Sequence, residues 1–295
     1  MQFFQTRGDD MKIFENESLK KYTTVKIGGI AKKIYFPENS SELIEVLNTM
    51  KDKKKYILGG GSNLLINDQK EFDEVISLKL MDSSIDNLGA GNYYIGASVS
   101  LQKLITQINN DGYGGIEYLF SVPALLGGAV AMNAGRGKIH NSSIGDYIKE
   151  VKVYDCEEQE IITLDKDECQ FSYRKSIFKE KELIVLGAVF NFPSVDIEEA
   201  KRKREDRIKS VRKLQDNSGY NFGSVFREYN KYIMQVFRVL HFGHKGGMMY
   251  SKRTSNWLIN KGSGSYKQAI DLIEKAIRVH RFMGMRIVPE VIKWD

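Results

Sequence analysis

The chain has 295 residues, of which 42% are hydrophobic and 28% are charged, a globular composition that excludes a disordered or collagen-like chain. This length suits two or three domains. Lys and Arg (44) outnumber Asp and Glu (38), and the net charge of +6 permits an anionic ligand without demanding nucleic acid. Cys156 and Cys169 are the only cysteines, so we expect reduced thiols and a cytoplasmic protein. No apolar run reaches the roughly 18 residues that span a bilayer.

The first part of the chain predicts a small unit of strands around one helix. Residues 34–36 are apolar and end at a proline, which indicates a strand. Asn39, followed three residues later by Glu42, is a helix-start signal. Further strands are predicted at 56–58 and 75–78.

The second part predicts another strand-rich unit. A strand at 93–97 is followed by Ser100, which is predicted to cap a helix. Strands are then expected at 151–154, 160–164 and 183–190.

The last part begins after a charged helix at 197–213, which we interpret as a domain boundary. Ser265 and Gln268 form a capping box that starts a second helix, and Gly284 is expected to end it. The chain then predicts one closing strand at 286–292.

Two glycine-rich segments are candidates for a shared dinucleotide site. The first, directly after a strand, lets consecutive backbone N–H groups point at one anion, although it matches neither the Rossmann fingerprint nor the P-loop. A tight turn is the alternative interpretation. The second contains one polar side chain, Asn133, and could instead be a close helix contact in the core. The segments are Gly59-Gly60-Gly61-Ser62-Asn63-Leu64 and residues 121–135.

Isolated polar residues outside the glycine-rich segments are further candidates. Arg174 beside Tyr173 could hold a carboxylate, or it could be a surface arginine. Ser224 follows a glycine and is unremarkable alone. Glu290 alternates with Val288 and Ile292 and is expected on the same face of the closing strand, which implies a buried partner or a site.

Taken together, these motifs are similar to one family in order and spacing. The chain resembles the UDP-N-acetylenolpyruvoylglucosamine reductases, in their short form, over about residues 23–291. The matching motifs are Thr24-x-x-Ile27-Gly28-Gly29, Gly60-Gly61-Ser62-Asn63-Leu64-Leu65, Pro123-x-x-x-Gly127-Gly128-Ala129-x-x-Met132-Asn133-Ala134-Gly135, Phe171-x-Tyr173-Arg174-x-Ser176, Gly223-Ser224-Val225-Phe226, Asn256-x-x-x-Asn260 and Pro289-Glu290-Val291.

The resemblance implies an α+β flavoenzyme. Two subdomains, 11–85 and 86–205, would form the FAD-binding fold of the vanillyl-alcohol-oxidase (PCMH) type, whose PCMH region is about 27–192, and 206–295 would be an α+β substrate-binding domain. NADPH would reduce FAD, which would then reduce the enolpyruvyl ether of a nucleotide sugar in peptidoglycan precursor synthesis, linking the protein to cell-wall biogenesis, cell shape, cell cycle and division. The loop 59–63 contains no His or Cys, so FAD is expected to be non-covalent.

The resemblance also assigns roles to residues. Arg174 would stabilise negative charge on the substrate carboxylate, Glu290 would be its polar partner, and Ser224 would protonate the carbanion left by hydride addition. Substrate would also contact Tyr173 and Asn256. The expected FAD-binding residues are Gly59, Gly60, Gly61, Ser62, Asn63, Leu64, Ser121, Pro123, Gly127, Gly128, Ala129, Asn133, Ala134 and Gly135.

Several positions depart from the family pattern, mostly in the third domain. They are Ala124, Asp216, 227–229 (Arg-Glu-Tyr for the usual Lys-Asn-Pro), Thr254 and Val288. A related flavoenzyme with a different acceptor is therefore the main alternative.

Other classes of function have weaker support. The basic run 201–213 could bind nucleic acid, but Glu205 and Asp206 interrupt it and no aromatic residues interleave. His241 and His244 lack a third nearby ligand, so we expect no metal. The sequence leaves open the oligomeric state and whether the chain begins at residue 1 or 11.

Overall fold

A computed structural model describes residues 11–51, 53–135, 142–239 and 244–295. The strands are β1 (Lys12–Ser18), β2 (Ile30–Phe36), β3 (Tyr56–Leu58), β4 (Leu64–Ile66), β5 (Glu71–Ser77), β6 (Ile85–Gly89), β7 (Asn92–Gly96), β8 (Ile148–Asp155), β9 (Glu160–Asp165), β10 (Leu183–Asn191), β11 (Phe226–Glu228), β12 (His244–Lys245), β13 (Met248–Tyr250), β14 (Leu258–Asn260), β15 (Val288–Pro289) and β16 (Ile292–Trp294).

The described helices are distributed over the whole chain. The α-helices are α1 (Ser40–Thr49), α2 (Leu101–Asn110), α3 (Leu126–Ala131), α4 (Ile197–Leu214), α5 (Lys231–Val239) and α6 (Tyr266–Phe282). Short 3-10 turns lie at Leu19–Tyr22, Leu78–Leu80, Glu117–Leu119, Ile144–Tyr147 and Ile177–Lys179.

The first sheet has the order β1-β2-β5-β3, with β1 antiparallel and the other strands parallel. The predicted start of α1 is confirmed, because Asn39 Oδ1 accepts a hydrogen bond from the Glu42 main-chain N–H at 3.0 Å. Leu43 on α1 is fully buried in a core cluster that also contains Tyr154 and Ile184 of the second sheet. Helix α1 therefore packs where the two sheets approach each other.

The second sheet is antiparallel, with the order β6-β7-β10-β8-β9. Ser100 Oγ accepts from the Lys103 N–H at 3.2 Å, which confirms the predicted cap of α2. Leu104 of α2 and Val130 of α3 are fully buried in the same cluster as the strands. The face of the sheet opposite Tyr154 and Ile184 buries its apolar side chains against α2 and α3, which fixes α3 and the glycine-rich segment against the sheet.

The third unit is built on α6. The Ser265–Gln268 capping box is confirmed, and α6 buries an apolar stripe that includes Ala269 and Ile273. Helix α5, which the sequence did not predict, contributes Met234 to the same core. Within the described ranges, no helix combines the length and the apolar composition needed to cross a bilayer.

The end of the chain returns to the first unit. Strand β16 pairs in parallel with β4, and the Trp294 ring lies 5.1 Å from that of Tyr56. The prediction of one closing strand at 286–292 is wrong, because β15 and β16 are separate strands with Glu290 between them. The predicted domain boundaries at 85/86 and 205/206 stay a prediction. The pairing of β16 with β4 joins residues that lie on opposite sides of both boundaries.

Candidate functional site

A cavity of about 1010 Å³ is lined by both glycine-rich segments and by residues of the third unit. Nearly all of the expected FAD-binding residues line it. They are Gly59, Gly60, Gly61, Ser62, Asn63, Leu64, Ser121, Pro123, Gly127, Gly128, Ala129, Ala134 and Gly135. Asn133 is the exception.

The loop 59–63 presents main-chain donors to this cavity. Gly61 has φ +63, and a Cβ there would collide with the carbonyl oxygen of Tyr22, so only glycine fits. In the part of the chain that the structure describes, the N–H groups of 60–63 donate to no main-chain carbonyl. The hydroxyl of Thr24 also lines the cavity and is buried without a partner. These unused donors suit the oxygens of a pyrophosphate.

The second glycine-rich segment forms the opposite wall. The N–H groups of Leu126 and Gly127 bond to carbonyls next to the second sheet at 2.8 and 2.9 Å, which fixes the start of α3. A Cβ on Gly60 would lie 3.3 Å from the Pro123 oxygen, so the two segments approach closely. A Cβ on Gly128 would meet nothing within 4 Å and would project into the open cavity. Larger side chains at these glycines would fill the space that a cofactor would occupy. The glycines present therefore fit FAD.

Asn133 supports the site from outside the cavity. It is 3% exposed, and its amide donates to the Ser172 carbonyl at 2.8 Å and accepts from the Gly145 N–H at 3.1 Å. Ser176 Oγ adds a 2.6 Å bond to the Ala131 carbonyl. These bonds hold the tight turn that carries Arg174, whose φ is +56.

Arg174 and Glu290 meet on the cavity wall. Arg174 Nε lies 2.8 Å from Glu290 Oε1, and both side chains are largely buried. The Glu290 N–H donates to the Val225 carbonyl at 2.8 Å, and Asn63 Nδ2 donates to the Glu290 carbonyl at 3.2 Å. Burial raises the pKa of Glu290, against the attraction of Arg174 and, to a smaller extent, of Lys179 and Arg227.

Ser224 lines the same cavity and belongs to the segment that holds Glu290. Gly223 has φ +78, and Ser224 forms an isolated bridge with Trp257. The structure thus brings Arg174, Ser224 and Glu290 to one region of the cavity wall.

Asn256, expected to contact substrate, uses its amide within the protein. Its Oδ1 accepts from the Phe226 N–H at 3.0 Å, and its Nδ2 donates to the Phe226 carbonyl at 2.7 Å. It is 4% exposed and, like Tyr173, does not line the cavity. Tyr173 is 37% exposed beside Arg174, whose guanidinium carbon lies 5.8 Å from the ring centroid.

Sequence reasoning did not include two cations near Glu290. Lys179 lines the cavity, and Arg227 acts electrostatically on Lys179, Tyr173 and Glu290. Partial burial, and then the charge of Arg227, lower the pKa of Lys179. Nothing in the pattern marked Lys179, whereas Arg227 is one of the departures from the family pattern.

Nucleic-acid binding and metal binding, the other functions considered from the sequence, have little support in the described residues. The charged side chains of α4 pair along the helix, as in Glu199–Lys203 at 2.8 Å and Asp206–Lys209 at 3.6 Å. No group of three His, Cys, Asp or Glu placed to hold a metal occurs in the described ranges. His241 lies outside them.

Replacing Glu290 by glutamine should alter the pH dependence of stability. Because burial raises its pKa above the ordinary 4.5, the folded protein binds this proton more tightly than the unfolded chain. The resulting stability is complete below pH 4.5 and is lost as pH rises through the folded pKa. Urea unfolding should therefore show wild-type stability falling, relative to Glu290→Gln, as pH rises above 4.5. A relative gain for the wild type over that range would contradict the expectation.

Comparison with known proteins identifies the family of this chain. An FAD binding domain model matches residues 31–165. The UDP-N-acetylenolpyruvoylglucosamine reductase of Caldanaerobacter subterraneus subsp. tengcongensis is 31% identical over 294 residues, covering 95% of this chain and 93% of the relative. The chain belongs to the UDP-N-acetylenolpyruvoylglucosamine reductase family. The same-named protein of Prochlorococcus marinus is also 31% identical, covering 94% of this chain and 95% of the relative.

The fold matches as well. The crystal structure of UDP-N-acetylenolpyruvylglucosamine reductase from Thermus caldophilus superimposes with a TM-score of 0.77 at 24% identity, covering 97% of this chain and 99% of that one. The predicted family, α+β flavoprotein fold and FAD are therefore confirmed. The roles of individual residues remain predictions.

Proposed function

We propose that this protein reduces the enolpyruvyl ether of UDP-N-acetylglucosamine enolpyruvate to UDP-N-acetylmuramate, with NADPH as hydride donor. The observation that carries the proposal is the Arg174–Glu290 pair beside Ser224 on the wall of a glycine-lined cavity. Membership in the family, and the shared name of the relatives, supports the same reaction. The product would be a peptidoglycan precursor, which places the protein in cell-wall biogenesis and thereby in cell shape, cell cycle and division.

The protein would act by binding and orienting charge. Bound FAD would supply hydride transfer from NADPH to the terminal alkene carbon of the substrate. Arg174 would bind the substrate carboxylate and stabilise the negative charge that hydride addition builds next to it. Glu290 would hold the Arg174 guanidinium in place, and its raised pKa lets it share a proton in that network. Ser224 would donate its hydroxyl proton to the carbanion, which is a base strong enough to accept it.

Several coarser features belong to the same proposal. Residues 11–85 and 86–205 would hold FAD non-covalently, and 206–295 would bind the nucleotide sugar. Cys156 and Cys169 are free thiols, in keeping with a cytoplasmic protein. Tyr173 would contact the substrate from its exposed position beside Arg174. We assign no nucleic-acid or membrane partner.

An anaerobic spectral titration tests the function. Purified protein should show flavin absorbance that bleaches with NADPH and recovers when the enolpyruvyl nucleotide sugar is added. UDP-N-acetylglucosamine, which lacks the enolpyruvyl group, serves as the control and should not restore the absorbance. Bleaching without recovery would reject the proposed acceptor and select the related flavoenzyme with another substrate. A protein that does not bleach would reject NADPH as the donor.

A further inference from the structure

We propose that Asp216 is a positioning residue for Ser224 and acts on it through the loop at residues 251–257. This inference rests on the proposed function, in which Ser224 donates a proton, and it adds a residue that holds Ser224 in place. Asp216 is 6% exposed and does not line the cavity, so we expect it to act through its neighbours rather than on the substrate. It is also one of the positions at which this chain departs from the family pattern.

The Asp216 carboxylate accepts three hydrogen bonds within the protein. Its Oδ1 accepts from the Ser218 N–H at 3.0 Å and from the Ser218 hydroxyl, and its Oδ2 accepts from the Ser251 hydroxyl at 2.8 Å. Burial alone would raise the pKa of Asp216, but these hydrogen bonds and the charge of Lys261 outweigh it and lower the pKa. The carboxylate is therefore a charged acceptor, and charge-assisted hydrogen bonds are stronger than neutral ones.

Ser251 links this carboxylate to the 251–257 loop. Ser251 is fully buried, and its Oγ accepts from the N–H groups of Arg253 and Thr254 at 3.0 and 2.9 Å. Its own N–H donates to the Trp257 carbonyl at 2.8 Å. A hydroxyl has one hydrogen to donate and two lone pairs that accept. Because Asp216 takes the hydrogen, the lone pairs of Oγ are held towards the two N–H groups of the loop.

The far end of the loop holds the backbone of the proposed proton donor. Trp257 forms the isolated bridge with Ser224, and the Val225 N–H donates to the Asn256 carbonyl at 2.9 Å. The Val225 carbonyl accepts from the Glu290 N–H at 2.8 Å. A continuous series of hydrogen bonds therefore leads from the buried carboxylate to the backbone of Ser224. This matters for catalysis because a misplacement of about 1 Å can slow a reaction step roughly 100-fold.

A double-mutant cycle with Ser224 tests the positioning role on the FAD-loaded protein. Asp216→Ala should slow the reoxidation of reduced flavin by the enolpyruvyl nucleotide sugar by about tenfold or more, because Ser224 loses its alignment. In the Ser224→Ala background the same change should slow that step by less than about twofold, because no proton donor remains to be misplaced. Flavin reduction by NADPH should stay within about twofold of the wild type in every variant.

Three further variants test the path from Asp216 to the loop. Ser251→Ala should reproduce the effect of Asp216→Ala, and the double variant should be no slower than the more severe single variant, because both changes break the same link. Asp216→Asn, which keeps one carbonyl acceptor, should fall between the wild type and Asp216→Ala. Asp206→Ala, which removes an exposed carboxylate that pairs with Lys209 on α4, is the matched control and should react as the wild type does.

Hydrogen exchange measures the same link without turnover. In the FAD-loaded Asp216→Ala protein, peptides that cover 224–226 and 251–257 should exchange faster than in the wild type, because their N–H groups lose a fixed partner. Helix α2 should keep its protection. Unchanged exchange in both peptides would overturn the inference. Equal slowing of reoxidation by Asp216→Ala with and without the Ser224 hydroxyl would also overturn it, since a general loosening of the fold has that effect.

These measurements distinguish the inference from the function on which it rests. If the wild type reduces the enolpyruvyl substrate and the effects of Asp216→Ala and Ser224→Ala are additive, only the positioning role fails. If the wild type does not reduce the substrate, the proposed function fails, and hydrogen exchange still decides whether Asp216 fixes the segment 224–226. Retained flavin absorbance and an unfolding midpoint above the assay temperature show that the variants are folded. Ser251→Ala tests the link should Asp216→Ala misfold.

Discussion

Replacing Ser224 by alanine should leave NADPH reduction of the bound flavin at its wild-type rate and slow the reduction of the enolpyruvyl substrate by roughly 10²- to 10⁴-fold. Ser224 lines the same cavity as Glu290. We assign its hydroxyl no role in the reduction of the flavin by NADPH. In the proposed function, its proton would be needed only when the substrate carbanion forms. Stopped-flow spectroscopy measures the two half-reactions separately, as flavin bleaching and flavin reoxidation.

The control is Ser172→Ala, which removes an exposed hydroxyl two residues before Arg174. Its carbonyl, rather than its hydroxyl, accepts the bond from Asn133, so both half-reactions should stay within about twofold of wild type. Equal slowing of both half-reactions by Ser224→Ala would instead assign Ser224 to flavin positioning. An unchanged second half-reaction would remove Ser224 as the proton donor.

Helix starts could be predicted because their cause is local. Asn39, Ser100 and Ser265 each accept a bond from an N–H only three residues away. The side chain and the donor lie within one helical turn, so the sequence alone contains the interaction. Helix α5 was not predicted, although it has a cap of the same local kind: Asn230 Oδ1 accepts from the N–H groups of Tyr232 and Ile233 at 2.9 and 3.3 Å.

The closing strand shows where periodicity fails. Alternation of Val288, Glu290 and Ile292 predicted one continuous strand, but these residues serve two different sheets. Val288 pairs with Glu228, whereas Ile292 pairs with Leu64 in the first unit. The Glu290 N–H bonds to Val225 at the break. The alternation of apolar side chains along a segment does not show which distant strands the segment pairs with.

The candidate site was accessible from the sequence only as an ordered set of motifs. Arg174 and Glu290 are remote in the chain, and their 2.8 Å contact arises from the packing of the second and third units. The sequence predicted that Asn133 and Asn256 belong to the site, but it did not show which groups their side-chain amides bond. Both amides hold main-chain segments that carry site residues. Polar residues in a motif can thus position a site without lining it.

Replacing Gly128 by valine should weaken FAD binding without lowering the stability of the FAD-free protein. The new side chain would project into the cavity, where the space beyond Gly128 is open in the protein. A clash with bound cofactor of about 1–3 kcal/mol corresponds to a loss of affinity of roughly 5- to 150-fold. Gly128→Ala, with one added carbon, should fall between the wild type and Gly128→Val. Fluorescence titration of FAD into the FAD-free proteins measures this series.

Unfolding measurements distinguish a variant whose FAD site is blocked from a variant whose fold is destabilised. Gly128 lies within α3, and replacing a helical glycine by valine improves helix propensity by a few tenths of a kcal/mol. The FAD-free variant should therefore unfold at or slightly above the wild-type midpoint, while the rise in midpoint that a fixed concentration of FAD gives should be smaller than in the wild type, by about 1–3 kcal/mol of stabilisation. Gln102→Val, at an exposed position of α2, is the matched β-branched control and should retain that rise. A Gly128→Val protein that binds FAD with wild-type affinity would show that the cofactor does not pass over α3.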